Sequence, residues 1–253
     1  MEEPILVTGG TGTVGREVVR LLRDAGSQPR VLSRQRGPGL VTGDLVTGAG
    51  IAEAVRDVGV VVHAATRPGR DVTGIRQLMA AARSTGAHPH VVLISIVGAD
   101  RVPLPYYRER CAVEDAVAGS GLPWTVQRST QFHALLDRLL GIAARLPVLP
   151  VPAGTDVQPI DEREVAARLV ALAGAEPVGR APDLGGPEVL PFADLARTWL
   201  AARRRRRPVL PVRVPGRVAR GYRDGGHLTP GHAEGGVTFA SYLAERNRSA
   251  AWR

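Results

Sequence analysis

Residues Thr8 to Gly15 read T-G-G-T-G-T-V-G immediately after the apolar run Ile5-Leu6-Val7. In this G-x-x-G-x-x-G spacing Gly9 ends a strand in a tight turn, Gly12 lets backbone N–H groups approach a pyrophosphate, and Gly15 lets the next helix pack on the strand. Val14, Val18, Leu21, Leu22 and Ala25 then form one apolar helical stripe, on a helix whose positive N-terminal end faces the phosphates. A glycine triplet alone says little, but strand, triplet and amphipathic helix in register read as a dinucleotide-binding loop. Its candidate contacts are Gly9, Thr11, Gly12, Thr13, Val14 and Gly15.

Short apolar runs alternate with helical patterns through the first half of the chain, which is the grammar of a parallel sheet covered on both faces. Strands are expected at Ile5–Thr8, Arg30–Ser33, Leu40–Thr42, Val58–His63, Val91–Ser95 and Trp124–Arg128. Helices are expected near Thr13–Ala25, Ile51–Val55, Val72–Thr85 and Tyr106–Ser120. Beyond Arg128 prolines break up helices near Gln131–Ala144, Asp161–Ala173, Phe192–Ala202 and Phe239–Arg246. The expected architecture is α/β, a Rossmann-type doubly wound parallel sheet with a small C-terminal substrate-covering lobe. Residues 1–253 then make one domain, with a core at about 1–128 and the lobe at about 129–253.

The second strand ends in Ser33-Arg34, with Arg36 two further on and no acid. An NAD site usually places Asp or Glu there for the ribose 2′-hydroxyl, whereas arginine suits a 2′-phosphate. The cofactor expected is therefore NADP(H) in preference to NAD(H), held at this end by Ser33 and Arg34.

The formal net charge is +9, which raises nucleic acid as a partner. Every one of the 33 basic residues is arginine, and Ala, Gly, Pro and Val abound, as in chains encoded by G+C-rich DNA. The run Arg203–Arg207 reads as the solvated C-terminal end of a helix before Pro208. Neither a nucleic-acid nor a membrane partner is expected, since no apolar run approaches the ~18 residues of a membrane span. A strand that starts by residue five leaves no room for a signal peptide, so a soluble, cytoplasmic protein is expected. A single cysteine, Cys111, excludes an internal disulfide framework and any multi-cysteine zinc site. His88 and His90 lack helical ligand spacing and read as loop residues.

Ser129-Thr130-Gln131-Phe132-His133 leaves the C-terminal end of the sixth strand, where doubly wound folds place substrates. Gln131, Phe132 and His133 are the candidates for a small-molecule substrate pocket. Gln158 in Q-P-I-D is expected to line it from the second lobe, and Asp161 also suits a helix N-cap.

T-G-G-T-G-T-V-G at 8–15, L-I-S-I-V-G-A-D at 93–100, P-Y-Y-R-E-R at 105–110, W-T-V-Q-R-S-T-Q-F-H at 124–133 and V-Q-P-I-D at 157–161 together resemble the NmrA-like, NAD(P)H-binding group of atypical short-chain dehydrogenase/reductases. The resemblance covers nearly the whole chain. It implies bound NADP(H), with Asp44-Leu45 on the adenine side and Ala64-Ala65-Thr66 on the ribose side. Asp44 reads equally well as the cap of the following helix.

The superfamily's tyrosine exchanges the substrate proton, a lysine four residues later holds the nicotinamide ribose and lowers the tyrosine pKa, and a serine orients the substrate. Here the matching residues are Tyr106, Arg110 and Ser95. The spacing is kept and the lysine is lost, a non-conservative exchange for a planar, permanently charged guanidinium. Members of the group divide between reductases and cofactor sensors. The reading is an NADPH-dependent reductase of a conjugated or aromatic carbonyl compound, quinone-like or natural-product. The alternative is a non-catalytic NADP-sensing regulator, and an epimerase or dehydratase fits less well with the short chain and the missing lysine. Oligomeric state is left open by the sequence.

Overall fold

The computed structural model describes residues 4–86 and 88–251. Along the chain the elements are β1 (Ile5–Thr8), α1 (Thr13–Asp24), β2 (Arg30–Ser33), β3 (Leu40–Thr42), α2 (Ile51–Ala54), β4 (Val60–His63), α3 (Asp71–Ser84), β5 (His90–Ile96), α4 (Pro105–Ala118) and β6 (Trp124–Ser129). There follow α5 (His133–Ala143), β7 (Leu149–Pro152), β8 (Asp156–Val157), α6 (Glu162–Ala173), β9 (Gly179–Arg180), β10 (Leu190–Pro191), α7 (Phe192–Ala202), β11 (Val209–Val212), α8 (Arg217–Arg223) and α9 (Phe239–Ala251).

The chain divides into two compact units that interleave in sequence. The first comprises residues 1–95, 105–128 and 163–182, and the second 96–104, 129–162 and 183–253. The expected core and lobe met at a single boundary near residue 128. Instead the chain crosses over several times; residues 163–182 return to the first unit through β9, a two-residue strand that follows α6 and adds in parallel to β6, Thr125 beside Gly179 and Val126 beside Arg180.

In the first unit the sheet runs β3-β2-β1-β4-β5-β6-β9. Its strands read V-V-V-H and H-V-V-L-I-S-I, apolar on both faces, as a sheet covered by helices on two sides requires. Leu6, Val61, Val91, Leu93 and Val126 are buried against Ile75, Leu78, Val113 and Val117 of α3 and α4, and Trp124 packs on this core as a partly buried edge. The strand order reverses between β1 and β4, and such a switch point opens a crevice at the carboxyl ends of these strands.

The second unit has its own core of Leu136, Leu140, Leu149, Val151, Leu195, Trp199, Phe239 and Leu243. Two small sheets brace it, β8 with β10 antiparallel and β7 with β11 parallel. Prolines at 147, 150, 152, 208, 211 and 215 confine β7 and β11 to this narrow ribbon, because proline cannot donate to a wider ladder. None of the described helices is long and apolar enough to cross a membrane.

Candidate active site

The loop after β1 and the loop after β4 meet at the switch point. Gly9 has φ +70°, and a Cβ there would lie 2.5 Å from the Ala65 nitrogen and 2.6 Å from the Ala64 carbonyl. Ala64 in turn donates its N–H to the Thr8 carbonyl at 3.1 Å. Gly15 is tighter still: its Cβ would sit 2.1 Å from the Gly9 oxygen, so α1 can lie this close to the loop only without a side chain. Gly12 differs from both. It is exposed, caps α1 in extended backbone (φ −82°), and no side chain caps the helix. The first N–H groups of α1 thus face outward beside Thr11 and Thr13, a cradle that fits the pyrophosphate of a dinucleotide.

At the end of β2, Ser33 Oγ accepts the Gln35 N–H at 3.1 Å and shapes the turn that carries Arg34 and Arg36. Both arginines are exposed, and neither has a carboxylate partner among the described residues. Asp44 does not cap the next helix, which begins seven residues later. Its Oδ1 accepts the Val46 and Thr47 N–H groups at 2.7 and 3.4 Å, closing a turn that presents Leu45.

Beyond Thr66 the site is built by one face of α4. Tyr106, Glu109 and Arg110 are spaced i, i+3, i+4 and all reach the segment 66–71 or its surroundings. Glu109 accepts the Gly69 and Asp71 N–H groups at 2.7 and 3.0 Å, so it caps α3, which has no cap of its own. Asp71 is buried and accepts Thr66 Oγ1 at 2.8 Å and the Arg67 N–H. Arg110, 3% exposed, places Nη1 3.5 Å from the same Asp71 oxygen and donates Nη2 to the Ile94 carbonyl. Tyr106 Oη lies 3.1 Å from Thr66 Oγ1. The arginine in the lysine position is thus a buried counter-ion for Asp71 inside the fold. The sequence did not single out Asp71 or Glu109; an acid opening a helix at Asp71 and another on the Tyr106 face were the available signals.

This arrangement fixes the direction of the hydrogen bonds. An ionised Asp71 paired with Arg110 only accepts, so Thr66 spends its single proton on Asp71. The Thr66 oxygen must then accept, which makes Tyr106 the donor to Thr66. The Tyr106 hydroxyl proton then points at Thr66.

Behind this face His63 is 2% exposed, its Nδ1 2.8 Å from Thr8 Oγ1. Burial, reinforced by the Arg110 charge, pushes its pKa down to about 3. An unfolded chain binds a proton here below about pH 6.5, which the native state refuses until about pH 3. Stability therefore falls as pH drops through that window, by about 2 kcal/mol at pH 5 from this group alone. Chemical unfolding at pH 7 and pH 5 checks this: His63→Asn is expected to recover most of that loss, and equal losses in wild type and variant would contradict it.

The remaining candidates take different places. Ser95 is buried beside Glu114, and its Oγ has no hydrogen bond of full geometry. Gln131 is half-buried, and both atoms of its amide are shielded from solvent without a partner in the chain, while Phe132 beside it is half-buried. His133 is fully buried; its Nε2 lies 2.9 Å from the Val237 carbonyl and its ring packs on Phe239 and Tyr242. Gln158 is also fully buried. It donates to the Gly186 and Thr229 carbonyls at 3.0 and 3.2 Å and accepts the Thr229 N–H at 2.8 Å. The expectation of pocket walls at His133 and Gln158 is corrected here, since neither offers surface to a ligand: His133 clasps a segment 104 residues away in sequence and Gln158 one 71 residues away. His90 is likewise bonded inside the fold, to Thr125 Oγ1 at 2.8 Å, and no cluster suited to a metal ion occurs among the described residues.

Residues 9–135 match the NAD(P)H-binding family. The (4-alkanoyl-5-oxo-2,5-dihydrofuran-3-yl)methyl phosphate reductase of Streptomyces griseus is 34% identical over 198 residues, 74% of this chain and 69% of that protein. The ceramide reductase of Caulobacter vibrioides is 32% identical over 222 residues, 77% of this chain and 67% of that protein. Among solved structures, the Escherichia coli NADPH-dependent quinone oxidoreductase complexed with NADPH superposes with a TM-score of 0.82 over 96% of this chain and 99% of its own, at 18% identity, and so shares the fold. The chain belongs to the NAD(P)H-binding family, with reductases among its relatives of 30% identity or more.

Proposed function

We propose that the protein is an NADPH-dependent reductase of conjugated or aromatic carbonyl compounds, of quinone-like or natural-product type. The nicotinamide supplies the hydride when bound. The loop Gly9–Gly15 holds the pyrophosphate, Ser33 and Arg34 the 2′-phosphate, Asp44 and Leu45 the adenine side, and Ala64, Ala65 and Thr66 the ribose side. Gln131 offers its unpartnered amide to a polar group of the substrate and Phe132 an apolar wall. An amide left unpaired away from water costs about 1–3 kcal/mol, which a hydrogen bond to a substrate group would recover.

The hydrogen-bond order Tyr106 to Thr66 to Asp71 carries the choice of substrate class. A phenol whose proton is committed to Thr66, on a helix whose Arg110 is tied to Asp71, is a poor general acid. An acceptor that spreads the incoming charge over a conjugated system needs little such help; an isolated ketone needs it. The reductase names of the relatives agree with hydride chemistry on small molecules.

Three variants test this reading. Tyr106→Phe is expected to lower turnover by about tenfold or less, mainly through KM, against the 10²-fold or more usual for loss of a general acid. A kcat loss beyond that, together with a kcat gain in Arg110→Lys, would make Tyr106 the proton donor. For cofactor choice, Arg34→Ala is expected to weaken NADPH by about 1–3 kcal/mol and leave NADH nearly unchanged in titration calorimetry. Equal losses for both cofactors would remove Arg34 from the 2′-phosphate.

A further inference from the structure

Helix α5 is apolar on two faces. Leu136 and Leu140 enter the core of the second unit, but Leu135, Leu139 and Ile142 lie outside it at 43%, 46% and 51% exposure, and Leu146, one turn further on in the following turn, is 50% exposed. The spacing i, i+4, i+7 makes the first three one continuous helical stripe, and Leu146 stands exposed just past its end. A helix apolar all round is ordinarily buried all round, so a stripe this exposed marks an interaction surface.

Along one side of the stripe stand Arg138 on the helix and, just past its end, Arg145, both exposed. Arg138 also lines a cleft of about 420 Å³ with Asp137, Trp199, Arg203, Arg205 and Arg246. Within it Asp137 is saturated: Arg203 Nη2 reaches its two oxygens at 2.8 and 2.7 Å, Trp199 Nε1 donates at 2.6 Å and Arg246 stands at 3.7 Å. Arg205 stacks over the Trp199 ring at 5.9 Å. Arg138 and Arg205 have no carboxylate partner among the described residues, so the cleft offers unneutralised guanidinium groups beside an apolar ridge. The arginine run is therefore only partly the solvated helix end expected from the sequence; Arg203 and Arg205 build this cleft.

We propose that this face is a docking surface for an anionic phospholipid bilayer, with headgroup phosphates at the arginines of the cleft and the α5 stripe in the acyl boundary. Apolar residues bordered by arginines on one helix face are what a helix lying in a membrane interface presents. Spanning and lying on a bilayer are different demands, and the absence of a long apolar segment bears only on the first. Charge decides between occupants. A second copy would bring Arg138, Arg145 and Arg205 of two chains of net charge +9 against each other, while an anionic surface complements them. Docking of this kind is independent of which compound the reductase accepts.

Co-sedimentation of the full chain with vesicles tests it. Binding is expected to phosphatidylcholine vesicles containing phosphatidylglycerol, to weaken with salt, and to be absent with phosphatidylcholine alone. Arg138→Gln and Arg205→Gln should each lower partitioning about fivefold, and Leu139→Asp about tenfold or more. All three lie at exposed positions, so NADPH affinity should be unchanged and reports an intact fold. No sedimentation, or sedimentation indifferent to these variants, would overturn the proposal. So would a dimer that Leu139→Asp dissociates in ultracentrifugation, or retention of duplex DNA through the same arginines without dependence on Leu139.

Discussion

Gly15→Ala is expected to cost about 3 kcal/mol or more of stability and to lower NADPH affinity on the order of 10²-fold. Its Cβ would lie 2.1 Å from the Gly9 oxygen and 2.7 Å from the Gly9 carbonyl carbon, so either α1 moves off the sheet or the loop moves off Ala64 and Ala65. Overpacking against side chains costs about 1–3 kcal/mol, and here the obstacle is backbone that cannot change rotamer. Gly12→Ala separates the two effects. Its φ of −82° suits alanine and its Cβ would meet only the Gly9 oxygen, at 3.1 Å. Stability should hold within about 1 kcal/mol while NADPH affinity falls, because the methyl stands where the pyrophosphate approaches. Thermal unfolding and fluorescence titration of both variants read this out. A Gly15→Ala protein with wild-type stability and affinity would contradict the account of the loop.

Glu114→Ala carries the largest expected loss away from the cofactor loop, about 3–5 kcal/mol. Burial alone would raise the Glu114 pKa, but the hydrogen bonds from Arg128, with smaller contributions from Ser95 and Arg180, draw it below the usual carboxylate range. Arg128 Nε and Nη2 reach its two oxygens at 2.9 and 2.8 Å, and Arg180 reaches Oε2 at 2.8 Å. The carboxylate thus ties α4 to β6 and to the two-residue strand β9. Removing it takes the bidentate carboxylate from the buried Arg128 guanidinium, which is why the loss exceeds that of a surface pair. Because Glu114 is depressed, its contribution is present above about pH 4.5 and fades as pH falls through the lower folded value. Denaturant unfolding at neutral pH measures the effect, and a loss below about 1 kcal/mol, the scale of an exposed pair, would show that Arg128 is solvated after all.

The parallel sheet was legible because its strands are apolar runs and its first loop is glycine-punctuated. Tyr106 and Arg110 could be placed on one helix face by spacing alone. Their meaning was not legible, because the partner of Arg110 is Asp71, 39 residues earlier, and only the fold brings an ionised acid there. Polar residues near a strand end were read as pocket walls, yet His133 and Gln158 find their partners at Val237 and Thr229 and serve as clasps. Periodicity showed α5 to be apolar without telling which of its two stripes, Leu136 and Leu140 or Leu135 and Leu139, the core would take. Strand β9, at two residues, carries no pattern to read.

NADPH absorbance decay with a panel of quinones, enones and saturated ketones measures which acceptors the protein reduces. The quinone-type acceptors are expected to be reduced, with saturated ketones slower by the 10²-fold or more that a general acid ordinarily supplies. NADPH binding without oxidation by any acceptor of the panel, or faster turnover of saturated ketones, would contradict the proposed function.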